Sequence, residues 1–198
     1  MRHIVIAGTI GVGKTTAARA LATALDMSLR EELPDRNPFI ARYYANSRSW
    51  ALRSQLWFLL DAIERHRRGG VQDHSYYEAA HVFAHVQHTR GELTTEDFEL
   101  LQSAAAMADR LLPVPDAVVL LTAPLAKLAE RIAARRRPYE RDLPESLLSE
   151  LDERRRRYFG RWVRSPIVEI DTGTWDPRRA DDLDILVRRL MSTIPAGV

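Results

Sequence analysis

Residues 8–15 of this chain read G-T-I-G-V-G-K-T and match the pattern G-x-x-x-x-G-K-[ST]. An apolar, largely β-branched run at residues 4–7 precedes them, and an alanine-rich stretch at residues 16–25 follows. This order predicts a strand, a glycine loop and a helix, which is the setting in which the pattern binds phosphate. The backbone N–H groups of such a loop point into one concavity at a helix N-terminus, where the helix dipole favours an anion. The motif therefore predicts a phosphate-binding loop (P-loop) rather than a glycine turn with a solvated lysine.

The side chains of the loop indicate what is bound. Lys14 is placed to reach the outer phosphates of a nucleoside triphosphate, and the Thr15 hydroxyl is placed to ligate Mg²⁺. ATP and Mg²⁺ are therefore the expected cofactors. The residues of this segment that we expect to contact the nucleotide are Gly8, Gly11, Val12, Gly13, Lys14, Thr15 and Thr16.

The composition is that of one α/β domain covering residues 1–198. The 29 basic residues nearly balance the 27 acidic ones, and a formal net charge of +2 does not favour a nucleic-acid partner. Cysteine is absent, which excludes disulfides and thiolate zinc sites. No apolar run approaches the roughly 20 residues of a membrane span, and no signal peptide precedes the first strand. We expect a cytoplasmic protein with neither a nucleic-acid nor a membrane partner.

Apolar β-branched runs alternate with longer helical patterns, which predicts βαβ units and a parallel sheet with helices on both faces. The expected fold is a three-layer α/β/α P-loop NTPase fold with a five-stranded parallel sheet. Thr94 is expected to cap one helix at its N-terminus. The predicted strands are residues 3–7, 28–31, 70–72, 117–122 and 167–171, and the predicted helices are residues 14–25, 49–67, 76–88, 95–112, 124–135, 145–161 and 182–191.

Three side chains outside the loop have chemistry that suits phosphoryl transfer. Asp73 follows a strand of the predicted parallel sheet, where a carboxylate can hold Mg²⁺ opposite Thr15, or can cap the helix that starts at Tyr76. Arg135 and Arg137 end a helical pattern that a proline breaks. A mobile loop there could fold guanidinium donors over the transferring phosphoryl, although a solvated basic surface gives the same pattern.

Gln55 lies in a strongly apolar helical stretch at residues 52–60. A primary amide in such a place offers a paired donor and acceptor to one edge of a nucleobase. Trp57 and Phe58 could wall the base, although such aromatic side chains more often pack in the core.

Segments in three parts of the chain, taken in this order, resemble the deoxyribonucleoside kinase family, and especially its bacterial branch that phosphorylates deoxyadenosine or deoxyguanosine. They are E-L-P-D-R-N-P-F, Y-Y and W-A-L-R-S-Q-L within residues 32–56, Q-D-H-S-Y-Y-E-A-A-H-V-F-A at residues 72–84, and R-I-A-A-R-R-R-P-Y-E at residues 131–140. The resemblance covers residues 4–159. It implies phosphorylation of a deoxynucleoside 5′-hydroxyl by ATP, an arginine-rich lid at about residues 135–145, and a homodimer formed through helices near residues 49–67 and 76–88.

The resemblance implies a role for each matched residue. Glu32 matches the acid beside the sugar 5′-hydroxyl and is the expected base, with Glu31 as an alternative one residue away. Tyr44 and Glu140 match contacts to the sugar 3′-hydroxyl, and Gln55 matches the contact to the nucleobase. The expected catalytic residues are Glu32, Lys14, Asp73, Arg135 and Arg137; the lid residues on the nucleotide are Arg131 and Arg135; the substrate contacts are Glu32, Tyr44, Gln55, His74 and Glu140; and the metal ligands are Thr15 and Asp73.

Two departures from the family pattern bear on rate and base preference. His74 replaces an arginine of the E/D-R-S motif, and losing such a charge contact would slow the reaction by about 10–100-fold unless Arg36 or Arg136 compensates. Ala62 and Ala79 replace an arginine and an aspartate of the base pocket, which would enlarge the pocket without selecting a base. The resemblance of residues 77–83 to the bacterial branch of the family favours a purine deoxynucleoside as the substrate.

Other interpretations remain open at this point. His81, His85 and His88 share a helix face but lack an acidic ligand, so we expect packing rather than zinc binding. Residues 172–175 could wrap the ATP adenine or form a plain turn. The rival functions are a nucleoside monophosphate kinase of the thymidylate kinase type, which needs an extra basic group for the acceptor phosphate, and a nucleotide-binding regulatory protein or pseudokinase, which His74 motivates.

Overall fold

A computed structural model describes residues 3–140 and 143–194, so two positions of the expected lid, 141 and 142, lie outside the described residues. Five parallel strands form one sheet in the order β2-β3-β1-β4-β5. This confirms the predicted five-stranded parallel sheet. The strands are β1 (His3–Gly8), β2 (Leu29–Arg30), β3 (Gly70–Asp73), β4 (Ala117–Thr122) and β5 (Ile167–Asp171).

The helices alternate with the strands as the periodicity predicts. They are α1 (Lys14–Ala24), α2 (Ile40–Ala45), α3 (Ser47–Arg67), α4 (Tyr76–Glu78), α5 (Ala84–Thr89), α6 (Thr95–Leu111), α7 (Leu125–Arg135), α8 (Glu145–Phe159) and α9 (Ala180–Thr193). A π-helical turn (Ala79–Phe83) joins α4 to α5, and 3₁₀ turns cover Pro34–Arg36 and Pro138–Glu140.

The strands are apolar on both faces because each face is covered by helices. Ile4 and Ile6 point to one face and pack with Leu21 of α1 and Leu186 of α9. Alternate residues of β1 and β4 point to the other face and pack with Phe159 of α8. The result is the three-layer α/β/α arrangement.

Because the strands are parallel, their carboxyl ends meet at one edge of the sheet. The register pairs Ile6 with Asp73, and the P-loop begins two residues after Ile6. β4 pairs with β5 so that Thr122 lies opposite Asp171. Ligand-binding groups of open α/β sheets lie at this edge, next to the point where the strand order reverses.

Local sequence signals account for two of the helix starts. Thr94 and Asp97 form a reciprocal capping box at the start of α6, which confirms the predicted cap. Ser75 and Glu78 form another at the start of α4. Asp73 therefore does not cap this helix, and its carboxylate is free for another role.

Two features were not predicted. α2 is six residues long, too short to show a helical period in the sequence. The predicted regular helix at residues 76–88 instead contains the π-helical turn, an irregularity that tertiary packing imposes and that often lies at a functional site.

The same helical segment is one of the two that were expected to form a dimer surface. Most of its side chains, Tyr76 and Tyr77 among them, are buried within the subunit and pack with α3 and α6. Its side chains therefore pack mainly inside the subunit, and the homodimer stays a prediction. Among the described residues, no helix combines the length and apolar character needed to cross a membrane.

Candidate active site

The P-loop crosses from β1 to α1 with Gly11 and Gly13 in the left-handed region, at φ +83° and +101°. A Cβ on Gly11 would lie 2.9 Å from the Leu128 carbonyl oxygen, so this position requires glycine. Gly13 is the N-cap of α1, and no side chain caps the helix or places an acid in its first turn. The orphan N–H groups of the first turn are therefore available to an anion.

Two side chains of the loop lie where a nucleotide and a metal need them. The Lys14 ammonium donates to the carbonyl oxygens of Gly8 (2.9 Å) and Thr9 (3.2 Å), folded over the loop that would hold the phosphates. The Thr15 hydroxyl donates to Asp73 Oδ2 at 2.5 Å, and Asp73 Oδ1 is buried without a hydrogen-bond partner among the described residues. Hydroxyl and carboxylate oxygens are the ligands Mg²⁺ prefers, so these residues fit the metal.

Burial raises the pKa of Asp73 to about 6, with nearby Glu32 acting in the same direction. Lys14, Arg65 and the hydrogen bond from Thr15 act in the opposite direction. Without a cation the carboxylate is therefore destabilised, which favours binding of one.

The cavity beside the P-loop has a volume of about 770 Å³ and is lined by Glu32 but not Glu31. Glu31 is instead held at the surface in a bidentate ion pair with Arg19, with distances of 2.9 and 2.6 Å. Burial raises the pKa of Glu32, while Arg65, Lys14 and Arg137 lower it. The side chain that faces the cavity is therefore Glu32.

His74 lies behind Glu32 with a positive φ of 60°. Its Nε2 is 3.9 Å from Glu32 Oε1, and its Nδ1 is 3.6 Å from Glu78 Oε2. Burial lowers the pKa of His74 to about 4, so the ring is neutral at pH 7. Neither Arg36 nor Arg136 lines the cavity, and both are exposed; the expectation that one of them replaces the motif arginine is wrong.

Away from the P-loop, the cavity is bounded by α2, α3 and the segment from the π-helical turn to α5. Tyr44 and Gln55 both line it, as predicted, and Phe83 and Gln87 join them. Burial raises the pKa of Tyr44, so its hydroxyl stays protonated and can donate. Gln55 donates through Nε2 to the carbonyl oxygen of Ala79 at 2.7 Å, which fixes the direction of its amide.

Gln87 was missed by the sequence reasoning. It is 95% buried, lines the cavity, and its Oε1 has no hydrogen-bond partner among the described residues. Its position, four residues after Phe83 on the same helical segment, is a signal that only the fold makes visible. A buried acceptor without a donor is a candidate contact for the N–H group of a ligand.

Ala62 and Ala79 do not enlarge the cavity as expected. Both are fully buried and pack in the cluster formed by α3, α4 and α6, and neither lines the cavity. Their carbonyl oxygens accept amide donors instead, from Gln72 and Gln55 respectively. Their side chains therefore act on the pocket only through packing.

The described part of the lid lies over the cavity. Arg135 Nε donates to Glu140 Oε2 at 2.5 Å, and Arg137 Nη1 is 3.4 Å from Glu140 Oε1. Tyr139 stacks on Tyr44 with ring centroids 5.3 Å apart. Arg135 and Arg137, which were expected to bind phosphate, are thus paired with Glu140, which was expected to contact the sugar.

Arg131 and the segment after β5 form the remaining wall. The Arg131 guanidinium donates to the carbonyl oxygens of Val12 (3.2 Å) and Thr172 (2.7 Å), so it ties α7 to the P-loop as well as lining the cavity. Residues 172–179 also line the cavity, among them the largely buried Trp175.

The three histidines of the possible zinc site do not converge. His81 stacks on Tyr158, and His88 stacks on Phe98. The described residues contain no group of three or more histidine, cysteine or acidic side chains placed to hold a metal ion.

Comparisons with known proteins show what this chain is similar to. The family model described as deoxynucleoside kinase matches residues 4–190. The chain is 27% identical over 191 residues to deoxyadenosine/deoxycytidine kinase of Bacillus subtilis, covering 92% of this chain and 84% of that protein. It is 30% identical over 190 residues to deoxyguanosine kinase of Lactobacillus acidophilus, covering 89% and 83%.

A solved structure shares the fold. Deoxyadenosine kinase from M. mycoides with bound dCTP superposes with a TM-score of 0.85 at 20% identity, covering 96% of this chain and 99% of that one. The family model over residues 4–190, together with the relatives from Bacillus subtilis and Lactobacillus acidophilus, shows that the protein is a nucleoside-phosphorylating kinase and belongs to the deoxynucleoside kinase family.

Proposed function

We propose that the protein transfers the γ-phosphoryl group of ATP to the 5′-hydroxyl of a deoxyribonucleoside, with a purine deoxynucleoside as its preferred acceptor. The observation that carries this proposal is the position of Glu32. Its carboxylate lines the same cavity as Lys14 and Asp73, on the wall where a nucleoside hydroxyl would meet the phosphates. Phosphoryl transfer needs positioning, charge neutralisation and an oriented nucleophile, and these residues supply all three.

Each residue then has a distinct task. Glu32 accepts the proton of the 5′-hydroxyl and aligns that oxygen with the γ-phosphorus. Lys14, Arg135 and Arg137 bind the oxygens of the transferring group, where negative charge must be stabilised. Thr15 and Asp73 would hold Mg²⁺, which when bound neutralises charge on the outer phosphates.

The nucleoside occupies the opposite end of the cavity. Tyr44 and Glu140 hold the sugar 3′-hydroxyl, and the fixed amide of Gln55 contacts the base. The names of the relatives support a purine, since one of them acts on deoxyguanosine and another on deoxyadenosine or deoxycytidine. Close packing around the sugar would exclude a 2′-hydroxyl.

The Glu32 carboxylate disfavours a nucleoside monophosphate as the acceptor. A nucleoside monophosphate would bring its phosphate to the position of Glu32, where two negative groups would repel each other.

The alternative of a nucleotide-binding regulatory protein depends on His74, which is neutral and provides no guanidinium. It predicts ATP binding without turnover, and gain of activity in His74→Arg.

One experiment distinguishes the nucleoside kinase, the monophosphate kinase and the regulatory protein. The protein is incubated with ATP, Mg²⁺ and each deoxynucleoside, ribonucleoside and monophosphate in turn, and the products are identified by mass. A 5′-monophosphate from a purine deoxynucleoside, with none from ribosides, supports the proposal. Turnover of monophosphates alone contradicts the acceptor, and ATP binding without any turnover favours the regulatory protein.

We also propose that the chain acts as a single domain and as a homodimer. The support for one domain is that the described strands all belong to one sheet. The support for a dimer is an outward apolar stripe on α6, where Leu100, Met107 and Leu111 are 54%, 57% and 75% exposed. Their spacing places them on one helix face. α3 packs against α6 and exposes Leu60, so a second copy of this pair is the occupant that the stripe fits.

A further inference from the structure

A buried guanidinium lies behind the strand ends that carry the two site carboxylates. Arg65, in the last turn of α3, is 8% exposed. Its Nη1 donates to the carbonyl oxygen of Asp73 at 2.5 Å, to that of His74 at 3.0 Å and to that of Arg30 at 3.4 Å. Its Nε donates to Asp61 Oδ2 at 2.7 Å. One side chain thus ties the end of β2 to the end of β3.

This connection positions the two residues on which the proposed reaction depends. Arg30 is the last residue of β2, and Glu32 follows two positions later. Asp73 is the last residue of β3. Because Arg65 binds both strand ends from one rigid helix, it limits the relative movement of the Glu32 and Asp73 carboxylates.

Arg65 is ion-paired with Asp61 through Nε and is also a fixed cation near the site carboxylates. Two buried carboxylates, those of Asp73 and Glu78, and the partly buried carboxylate of Glu32 lie near a neutral His74. Lys14 is engaged with the P-loop and is the group assigned to the phosphates. Buried carboxylates need a cation close by, and Arg65 Nη2 is itself buried with no hydrogen-bond partner among the described residues. Arg65 is therefore a cation with unused donor capacity at this wall.

We propose that Arg65 is a positioning residue for phosphoryl transfer, which aligns the strand ends bearing Glu32 and Asp73 and supplies from α3 the buried positive charge that His74 does not provide. The inference rests on the proposed function. It predicts that an arginine introduced at position 74 partly compensates for the loss of Arg65.

The test is a double-mutant cycle with Arg65→Met, His74→Arg and the combined variant, measured as kcat and KM with deoxyadenosine and deoxyguanosine. Arg67→Met is the matched control, because Arg67 lies on the same helix but is exposed and pairs with Glu64 at the surface. We expect Arg65→Met to lower kcat by roughly 10–100-fold while the KM for nucleoside changes little. His74→Arg should raise kcat at least about tenfold more in the Arg65→Met background than in the unmodified protein.

Two results would overturn the inference. One is Arg65→Met with the same kcat as Arg67→Met, in protein whose circular dichroism and melting are intact. The other is a gain from His74→Arg that is equal in both backgrounds. If Arg65→Met does not fold, Arg65→Lys takes its place in the same cycle, and equal gains again exclude the coupling.

A binding measurement separates this inference from the proposed function. Calorimetry with Mg²⁺ and ATP should show roughly tenfold weaker binding in Arg65→Met than in Arg67→Met, because Asp73 is no longer held in place. Equal affinity would overturn the positioning role. Normal binding by the unmodified protein with no turnover of any nucleoside would overturn the proposed function alone.

Discussion

The hydroxyl of Thr15 donates to the carboxylate of Asp73 at 2.5 Å, although 58 residues separate them in the chain. The parallel pairing of β1 with β3 places the end of one strand beside the start of the loop that follows the other. Two oxygen-bearing side chains whose chemistry fits a divalent cation therefore meet at the N-terminus of α1. This hydrogen bond connects the start of α1, next to the phosphate-binding loop, with the end of β3.

Replacing the cavity carboxylate should abolish most of the activity. We expect Glu32→Gln to lower kcat by about 10²–10⁴-fold, because the amide cannot accept the proton of the attacking hydroxyl. Glu31→Gln is the matched control, since Glu31 pairs with Arg19 at the surface, and it should change kcat by less than about twofold. Steady-state kinetics with a purine deoxynucleoside measures both. A larger loss in Glu31→Gln would transfer the role to that residue.

Binding of Mg²⁺ and ATP should weaken in acid. The pKa of Asp73 is raised to about 6, so its carboxyl gains a proton as the pH falls through that value and the proton competes with the metal. Affinity should drop by roughly tenfold for each pH unit below 6. Titration calorimetry between pH 5 and 8 measures this, and the dependence should become weaker in Asp73→Asn, where only the titration of ATP itself remains. The same pH profile in both proteins would show that another group titrates.

The unpaired acceptor of Gln87 should contribute to recognition of the base. Gln87→Leu leaves an N–H group of the base without a partner, which should raise the KM for nucleoside by roughly 5–100-fold and leave the KM for ATP unchanged. Gln102→Leu is the control, because Gln102 hydrogen-bonds the Ala80 carbonyl and does not line the cavity. Equal nucleoside KM values in the two variants would exclude a contact to Gln87.

A histidine at the opposite edge of the sheet should make the fold acid-sensitive. Burial, with a smaller effect of His66, lowers the pKa of His3 to about 3 from an unfolded value of 6.5. Between those values the unfolded chain binds a proton that the folded chain does not, so stability is full above pH 6.5 and falls as the pH decreases. At pH 5 the loss is about 2 kcal/mol from this group.

Urea unfolding at pH 7.5 and pH 5 measures that loss. His3→Gln retains a donor for Gln72 Oε1 and should reduce the difference between the two pH values. Some pH dependence should persist, because burial also lowers the pKa of His66. An unchanged difference in His3→Gln would assign the acid sensitivity to other groups.

A charge on the α6 stripe should dissociate the proposed dimer. Met107→Glu places a carboxylate in the centre of the proposed interface, where its burial would be strongly unfavourable. Ile185→Glu is the matched control, because Ile185 is an exposed apolar residue on α9. Sedimentation velocity should show a monomer only for Met107→Glu. A monomeric unmodified protein, or a dimeric Met107→Glu, would contradict the proposed interface.

Much of the fold was predictable because its signals are local. The strand runs and the Thr94 cap appear in the structure within a residue or two of their expected positions. The Ser75 and Glu78 capping box, which takes the helix cap from Asp73, is also a local signal, whereas the contact of Asp73 with Thr15 joins residues 58 positions apart. The short α2 and the π-helical turn carry no period of their own, so the sequence offered nothing to detect.

The sequence by itself determined the P-loop, the order of strands and helices and the family, because each depends on residues that are close together in the chain. Only the tertiary structure decided which acid faces the cavity, that Gln87 lines it, and that Arg65 rather than Arg36 or Arg136 lies behind His74. Each of these features depends on contacts between different elements, even where, as for Arg65 and His74, the residues are only nine positions apart. They depend on how α3 and the π-helical turn pack against the strand ends, and no spacing along the chain encodes that packing.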